Sequence, residues 1–328
     1  MTSPGGPSLR GPEGENRVLD PAVARIVEAG GPHVPPLLAR VEERLVEVAG
    51  SYGEVLAEHA TATISAGGKR LRPLLVLLAA GPDAPEEPLL RAAASVELVH
   101  AATLVHDDVL DDASLRRGRP TVYATAGRDM ATATGDLLFS RAFAQLVQNE
   151  SVDQVRALSR ASSALARGEL VQREDAWRVV PVERYLLRCE LKTARLFEAA
   201  CELGESVAGA PPSLGAFGRR VGLAFQILDD VLDVSGPAER TGKHRGTDLL
   251  DGTVTLPFIL ADLGIDPRSV DTRERAEEVC DAIAATGALD ESRARALEYV
   301  AAAKDDLPDL PQRRALELVA DSVVERYS

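Results

Sequence analysis

The pentapeptide DDVLD occurs twice, as Asp107-Asp108-Val109-Leu110-Asp111 and as Asp229-Asp230-Val231-Leu232-Asp233, each time in an apolar segment. On an α-helix, positions i and i+4 are only about 40° apart, so each pentapeptide gathers three carboxylates on one side. Like charges this close repel, and the neighbours Leu104-Val105 and Gln226-Ile227-Leu228 imply partial burial. Burying unpaired carboxylates is costly, so a fold that keeps both triads must bring cations to them. Hard divalent ions suit oxygen ligands, and Mg²⁺ typically takes one or two carboxylates and completes its shell with substrate phosphates. Two solvated acidic helix faces are the alternative. Repetition of one triad in apolar surroundings argues against it. A calcium loop fits worse, because its glycine and terminal glutamate are absent.

Strand signals are scarce: aromatics make up 4% of the 328 residues, and Ala-, Leu-, Glu- and Arg-rich stretches carry helical periodicity. PPLLARVEERLVEVAG opens with proline in the first turn and keeps an apolar stripe. Further helices are expected over 53–66, 73–80, 86–112, 127–148, 151–176, 182–204, 212–235, 253–262, 270–286, 288–305 and 311–327. PLLVLLAA and GLAFQILDDVLDV are apolar nearly all round and belong inside a bundle. Residues 1–20, rich in Gly, Pro and Ser, are expected to be disordered. No comparable linker follows, so 21–328 are expected to form a single all-α domain.

The net charge of −14 argues against a nucleic-acid binder. Cys189, Cys201 and Cys280 lack metal-type spacing, and their odd number does not suggest a disulfide framework, so a reducing cytoplasm is the simplest compartment. No signal-peptide pattern and no run of about 18 apolar residues is present, so a soluble chain is expected.

Against this acidic background the basic clusters stand out. Ser65-Ala66-Gly67-Gly68-Lys69-Arg70-Leu71-Arg72-Pro73 is a glycine turn with three cations leading into a helix, which suits phosphate. Arg116-Arg117-Gly118-Arg119 follows the first triad, and Gly242-Lys243-His244-Arg245-Gly246 follows the second. Taken singly, each is also compatible with a solvated basic turn. His100 lies seven residues before Asp107, nearly two turns, and so shares its helix face; a core histidine is the alternative. Lys192 interrupts an apolar helix, where it needs a partner unless it snorkels to water.

The ordered series GGKRLRP, HAATLVHDDVLDDASLRRGRPT, LKTARLF, FQILDDVLD and TGKHRGTDLLDGTVTLP resembles the all-trans polyprenyl diphosphate synthases. That resemblance implies the isoprenoid-synthase helical bundle around a central cavity, and a homodimer. It implies a prenyltransferase that condenses isopentenyl diphosphate with an allylic diphosphate. Asp107 and Asp111 match the main metal ligands of the first motif, with Asp108 supporting them. Asp229 matches the main ligand of the second, with Asp230 and Asp233 nearby. Together they would hold three Mg²⁺ ions on the allylic diphosphate. Arg116, Lys192 and Lys243 match contacts to that diphosphate; Lys69, Arg72, His100 and Arg117 match the isopentenyl diphosphate site. Thr193 and Gln226 match positions near the reacting carbons. Thr253 stands where the family often has lysine, which removes one phosphate contact and leaves both triads intact.

Other classes are set apart by the same motifs. Terpene cyclases typically carry Asn, Ser or Thr and Glu ligands in a second motif, and head-to-head condensing enzymes show more widely spaced aspartates. A non-catalytic regulatory subunit of a synthase heteromer would commonly lose aspartates that are kept here. At about 100° per residue, Val99, Ala102, Thr103 and His106 share one flank above Asp107. In the family this flank lines the path of the growing chain, where short-chain members carry aromatic residues four or five places before the first aspartate. Thr103 and Ala102 leave the path open, and Phe139 and Phe143 could form a deeper floor. Long-chain products of about C30 to C45 are therefore expected, with a farnesyl or geranylgeranyl diphosphate synthase as the alternative. No transmembrane segment is expected, and membrane contact would be transient, at product release.

Overall fold

In the computed structural model the described residues are 8–10, 16–18, 20–51, 53–116, 118–236 and 245–325. The expectations for Arg117 and Lys243 fall outside them, as does most of the stretch expected to be disordered. Within that stretch, Ser8–Arg10 pairs antiparallel with Asn16–Val18. Among the described residues the regular structure is otherwise helical, apart from a short hairpin that pairs Leu115–Arg116 with Arg119–Pro120. The chain forms two compact units: 1–160 with 199–215 and 307–319, and 161–198 with 216–306 and 320–328.

In the first unit, α1 (Pro21–Gly30) starts where Asp20 accepts hydrogen bonds from the backbone N–H groups of Ala22 and Val23. Sequence periodicity did not single this helix out. In α2 (Val34–Gly50), Val34, Leu38, Val41, Leu45 and Val48 are buried, a spacing that puts one stripe against α3 (Glu54–Ser65), α4 (Leu71–Ala80) and α5 (Glu86–Leu110). From Leu74 to Leu78, α4 is wholly buried, as its all-round apolar sequence requires. By length and composition alone, helix α5 could cross a membrane. In its most apolar window 72% is buried, as befits a core helix. Its main partner is α6 (Val122–Val147). This helix begins five residues earlier than expected because Thr121 caps it, and it kinks at Gly127, whose φ of 84° breaks the helical backbone.

In the second unit, the expected helix 182–204 is interrupted. α7 (Val152–Glu174) and α8 (Val182–Cys189) are followed by a π-helical turn, Glu190–Ala194, and then by α9 (Arg195–Ala208). α10 (Gly215–Ser235) buries Val221, Ala224, Ile227, Leu228 and Val231 and approaches the π turn at Gly222. A small second core joins Val231 and Val234 of α10 to Leu249, Val254, Phe258, Val279, Cys280 and Ile283.

Candidate active site

The first triad sits where α5 ends. Asp107 and Asp108 lie in its last turn, and Asp111 is the residue just beyond it, its N–H donating to the Asp107 carbonyl at 2.9 Å. The helix stops two residues short of the expected 112 because Asp112 turns left-handed (φ 48°) and the Ala113 N–H closes on the Asp108 carbonyl at 2.9 Å. The hairpin then folds back: Thr121 Oγ1 donates to the Ala113 carbonyl at 2.6 Å, and Tyr123 Oη donates to Asp112 Oδ1 at 2.5 Å. This return brings Arg116 Nε to Asp108 Oδ1 at 2.7 Å. Asp108 is buried with that partner, whereas Asp107 is half-buried and Asp111 exposed.

The second triad lies in the last two turns of α10. Its middle member is again the buried one. Asp230 Oδ2 accepts from Tyr185 Oη at 2.7 Å, and Asp230 Oδ1 accepts from Gln226 Nε2 at 2.8 Å. Thr193 Oγ1 donates to Gln226 Oε1 at 2.6 Å, which fixes the amide's orientation. Burial, with the Asp248 charge second, pushes the Asp230 carboxyl up to about 7, while Tyr185 and Gln226 pull it down. Asp229 and Asp233 are half-buried. Asp233 also holds backbone at 246 and 248: its carbonyl accepts from Gly246 N–H at 2.9 Å and its Oδ2 from Asp248 N–H at 3.3 Å.

The π turn presents Lys192 and Thr193. Lys192 Nζ donates to Glu169 Oε2 at 2.6 Å and Gln172 Oε1 at 3.1 Å, the partner its apolar surroundings demanded. Such turns shift side-chain register by a residue and recur at functional sites. Arg188 is buried, donates to the Val254 carbonyl at 2.6 Å and lies over the Tyr185 ring, pinning the segment that carries Thr253.

In the glycine turn, Gly67 and Gly68 take positive φ, and Lys69 Nζ meets Asp20 Oδ2 at 3.1 Å. Arg72 lies in the first turn of α4, and His100 is half-buried on α5. On the flank above Asp107, Val99 and Ala102 are fully buried, and Thr103 is half-buried with its hydroxyl donating to the His100 carbonyl at 2.8 Å. Phe139 and Phe143 stack with centroids 5.9 Å apart.

Among the described residues, no three His, Cys, Asp or Glu side chains close on a ready-made metal position. Open carboxylate pairs of this kind fit Mg²⁺, which takes few protein ligands and fills its shell with water and phosphate oxygens. Lys69, Arg116 and Lys192 each have a carboxylate within reach. A diphosphate, more highly charged than a carboxylate, can compete for such donors.

Sequence reasoning missed Tyr185, Arg188, Asp248, Arg70 and Glu97. Two of these left a signal: Arg70 is one of three cations in the glycine turn, and Glu97 is the lone acid in the apolar run from Ala92 to Val105.

The profile described as Polyprenyl synthetase matches residues 53–282. The heptaprenyl diphosphate synthase component 2 of Geobacillus stearothermophilus is 40% identical, over 87% of this chain and 93% of its own. The geranylgeranyl diphosphate synthase of Methanosarcina mazei is 36% identical, over 80% and 87%. A crystal structure of polyprenyl synthase from Caulobacter crescentus, complexed with calcium and isoprenyl diphosphate, superposes with a TM-score of 0.83 at 34% identity, covering 94% and 98%. The chain belongs to the polyprenyl synthetase family, with the helical-bundle fold of the isoprenyl synthases. It is a prenyltransferase of the polyprenyl diphosphate synthase type.

Proposed function

We propose that this enzyme extends an allylic diphosphate by successive condensations with isopentenyl diphosphate to an all-trans product of about C30 to C45. Residues 21–328 would act as one catalytic domain. The observation that carries the proposal is the shared design of the two triads: the middle aspartate is buried and held by protein donors, while the outer members, Asp107, Asp111, Asp229 and Asp233, keep access to solvent. Those four would hold Mg²⁺, three ions with diphosphate bound. When bound, the ions stabilise the negative charge that develops as the allylic C1–O bond ionises.

Arg116, Lys192 and Lys243 would bind the allylic diphosphate; Lys69, Arg72, His100 and Arg117 would bind isopentenyl diphosphate. Thr193 and Gln226, hydrogen-bonded to each other, would place oxygen dipoles near the allylic cation. The double bond of isopentenyl diphosphate attacks that cation, and the proton then lost passes to the departed diphosphate. Apolar residues such as Val99 and Ala102, both buried, would exclude the water that otherwise traps the cation.

Small residues at Ala102 and Thr103 support a long product, with the Phe139–Phe143 pair as a deeper stop. A homodimer in the cytoplasm is the expected setting. The designation "component 2" of the Geobacillus relative supports a second reading, in which the chain works within a heteromer. Incubating the purified chain with isopentenyl and farnesyl diphosphates and Mg²⁺, then chromatographing dephosphorylated products, tests both. Products of C30 or longer are expected, and Ala102→Phe should shorten them to about C15–C20 because a bulky ring fills the path. A wild type that stops at C15 or C20 refutes the open path. A chain inactive alone but active with a partner subunit establishes the heteromer.

A further inference from the structure

Arg70 sits between two residues assigned to isopentenyl diphosphate, yet its own side chain turns inward and is buried. It adopts the left-handed conformation (φ 50°, ψ 35°) at the start of α4, a strained state for a residue with a Cβ. Its guanidinium makes four hydrogen bonds in three directions. Nε and Nη2 grip Glu42 of α2 at 2.5 and 3.1 Å, Nη1 donates to Glu97 of α5 at 2.7 Å, and Nη2 also donates to the Ile64 carbonyl of α3 at 2.7 Å. Glu97 is itself buried and lies one turn before His100. The clamp therefore ties the turn bearing Lys69 and Arg72 to the stretch of α5 bearing His100.

We infer that Arg70, with Glu97 and Glu42, is a positioning device that sets the spacing between the two halves of the isopentenyl diphosphate site. The inference rests on the assignment of Lys69, Arg72 and His100 to that substrate. The guanidinium stays protonated: burial opposes its charge, but Glu97 and Glu42 outweigh it. Only a planar, multidentate cation can face three elements at once, which lysine cannot reproduce. A left-handed backbone at position 70 is also what lets Lys69 and Arg72 leave the turn while the residue between them points into the unit.

The test is steady-state kinetics of Arg70→Lys and, as a milder variant that keeps shape, Glu97→Gln, with each substrate varied in turn. The expected result is an apparent KM for isopentenyl diphosphate raised about tenfold, equivalent to about 1.4 kcal/mol, with the allylic KM within about twofold of wild type. A variant that unfolds more readily but keeps both KM values, or one that raises both equally, overturns the inference. Lys69→Ala, measured alongside, separates the two levels. If it raises KM for isopentenyl diphosphate while Arg70→Lys and Glu97→Gln do not, the clamp fails and the site assignment stands. If Lys69→Ala leaves that KM unchanged, the assignment fails and takes the clamp with it.

Discussion

Gly222 offers a direct test of how the second triad is held. It lies inside α10, where replacing glycine by alanine normally stabilises a helix by about 0.5–1 kcal/mol. Here a Cβ would sit 2.6 Å from the Ala194 Cα, 3.1 Å from its Cβ and 3.2 Å from the Phe197 Cβ. The nearest of these atoms is backbone, so no side chain can rotate away, and the π turn must retreat from α10. Overpacking of this kind costs about 1–3 kcal/mol, which exceeds the propensity gain, so Gly222→Ala should be net destabilising by about 1–2 kcal/mol. The displacement reaches chemistry quickly: Ala194 follows Thr193, and Gly222 lies one turn before Gln226, so the 2.6 Å Thr193–Gln226 hydrogen bond must lengthen. Urea unfolding of the variant, compared with Gly50→Ala, reads the effect. Nothing lies within 4 Å of a Cβ at Gly50, so that control should be neutral or slightly stabilising. A Gly222→Ala protein as stable as wild type, with unchanged turnover, would refute the close-approach account.

Asp107→Ala and Asp229→Ala should each lower condensation by about 10³-fold or more with the fold retained, because charge on the departing diphosphate loses its support; near wild-type turnover with Mg²⁺ present would sink the two-triad mechanism. Tyr185→Phe should destabilise by about 1.5–3 kcal/mol, since it removes the 2.7 Å donor from a buried carboxylate; equal denaturant midpoints would show that Asp230 finds another donor. Burial alone would raise the Glu169 carboxyl, but Lys192 and then Arg173 outweigh it and hold it below its ordinary 4.5. A depressed folded value means that the stability from this group is present above pH 4.5 and lost as pH falls through the folded value, so Glu169→Gln should flatten the acid limb of stability against pH; superimposable acid limbs would contradict the pairing.

Much of the molecule was written in local pattern. Periodicity located the longer helices from α2 onward but not the four-residue Thr247–Leu250, and Leu71–Ala80 and Ala288–Asp305 sit within two residues of the expected ends, because burial of one face, or of all faces, must show in residue spacing. The five ordered motifs carried the family. Boundaries shifted where a cap or a kink intervened, as at Thr121 and Gly127 before the long run of α6.

The sequence by itself determined that each DDVLD gathers three carboxylates on one side of a helix, since that follows from 3.6 residues per turn. It could not rank them. Only tertiary structure decided that Asp108 goes inward to Arg116 and Asp230 to Tyr185 and Gln226, leaving the outer aspartates accessible. The same holds for Arg70, which reads as one more cation in a basic turn until Glu42 and Glu97 arrive from other helices. Periodicity fixes which residues share a face, but the partner that meets a face comes from distant chain: Tyr185 is 45 positions from Asp230, and Glu97 is 27 from Arg70. Nothing in the residues around either aspartate encodes which of its neighbours will be buried, because burial is a property of the packed whole.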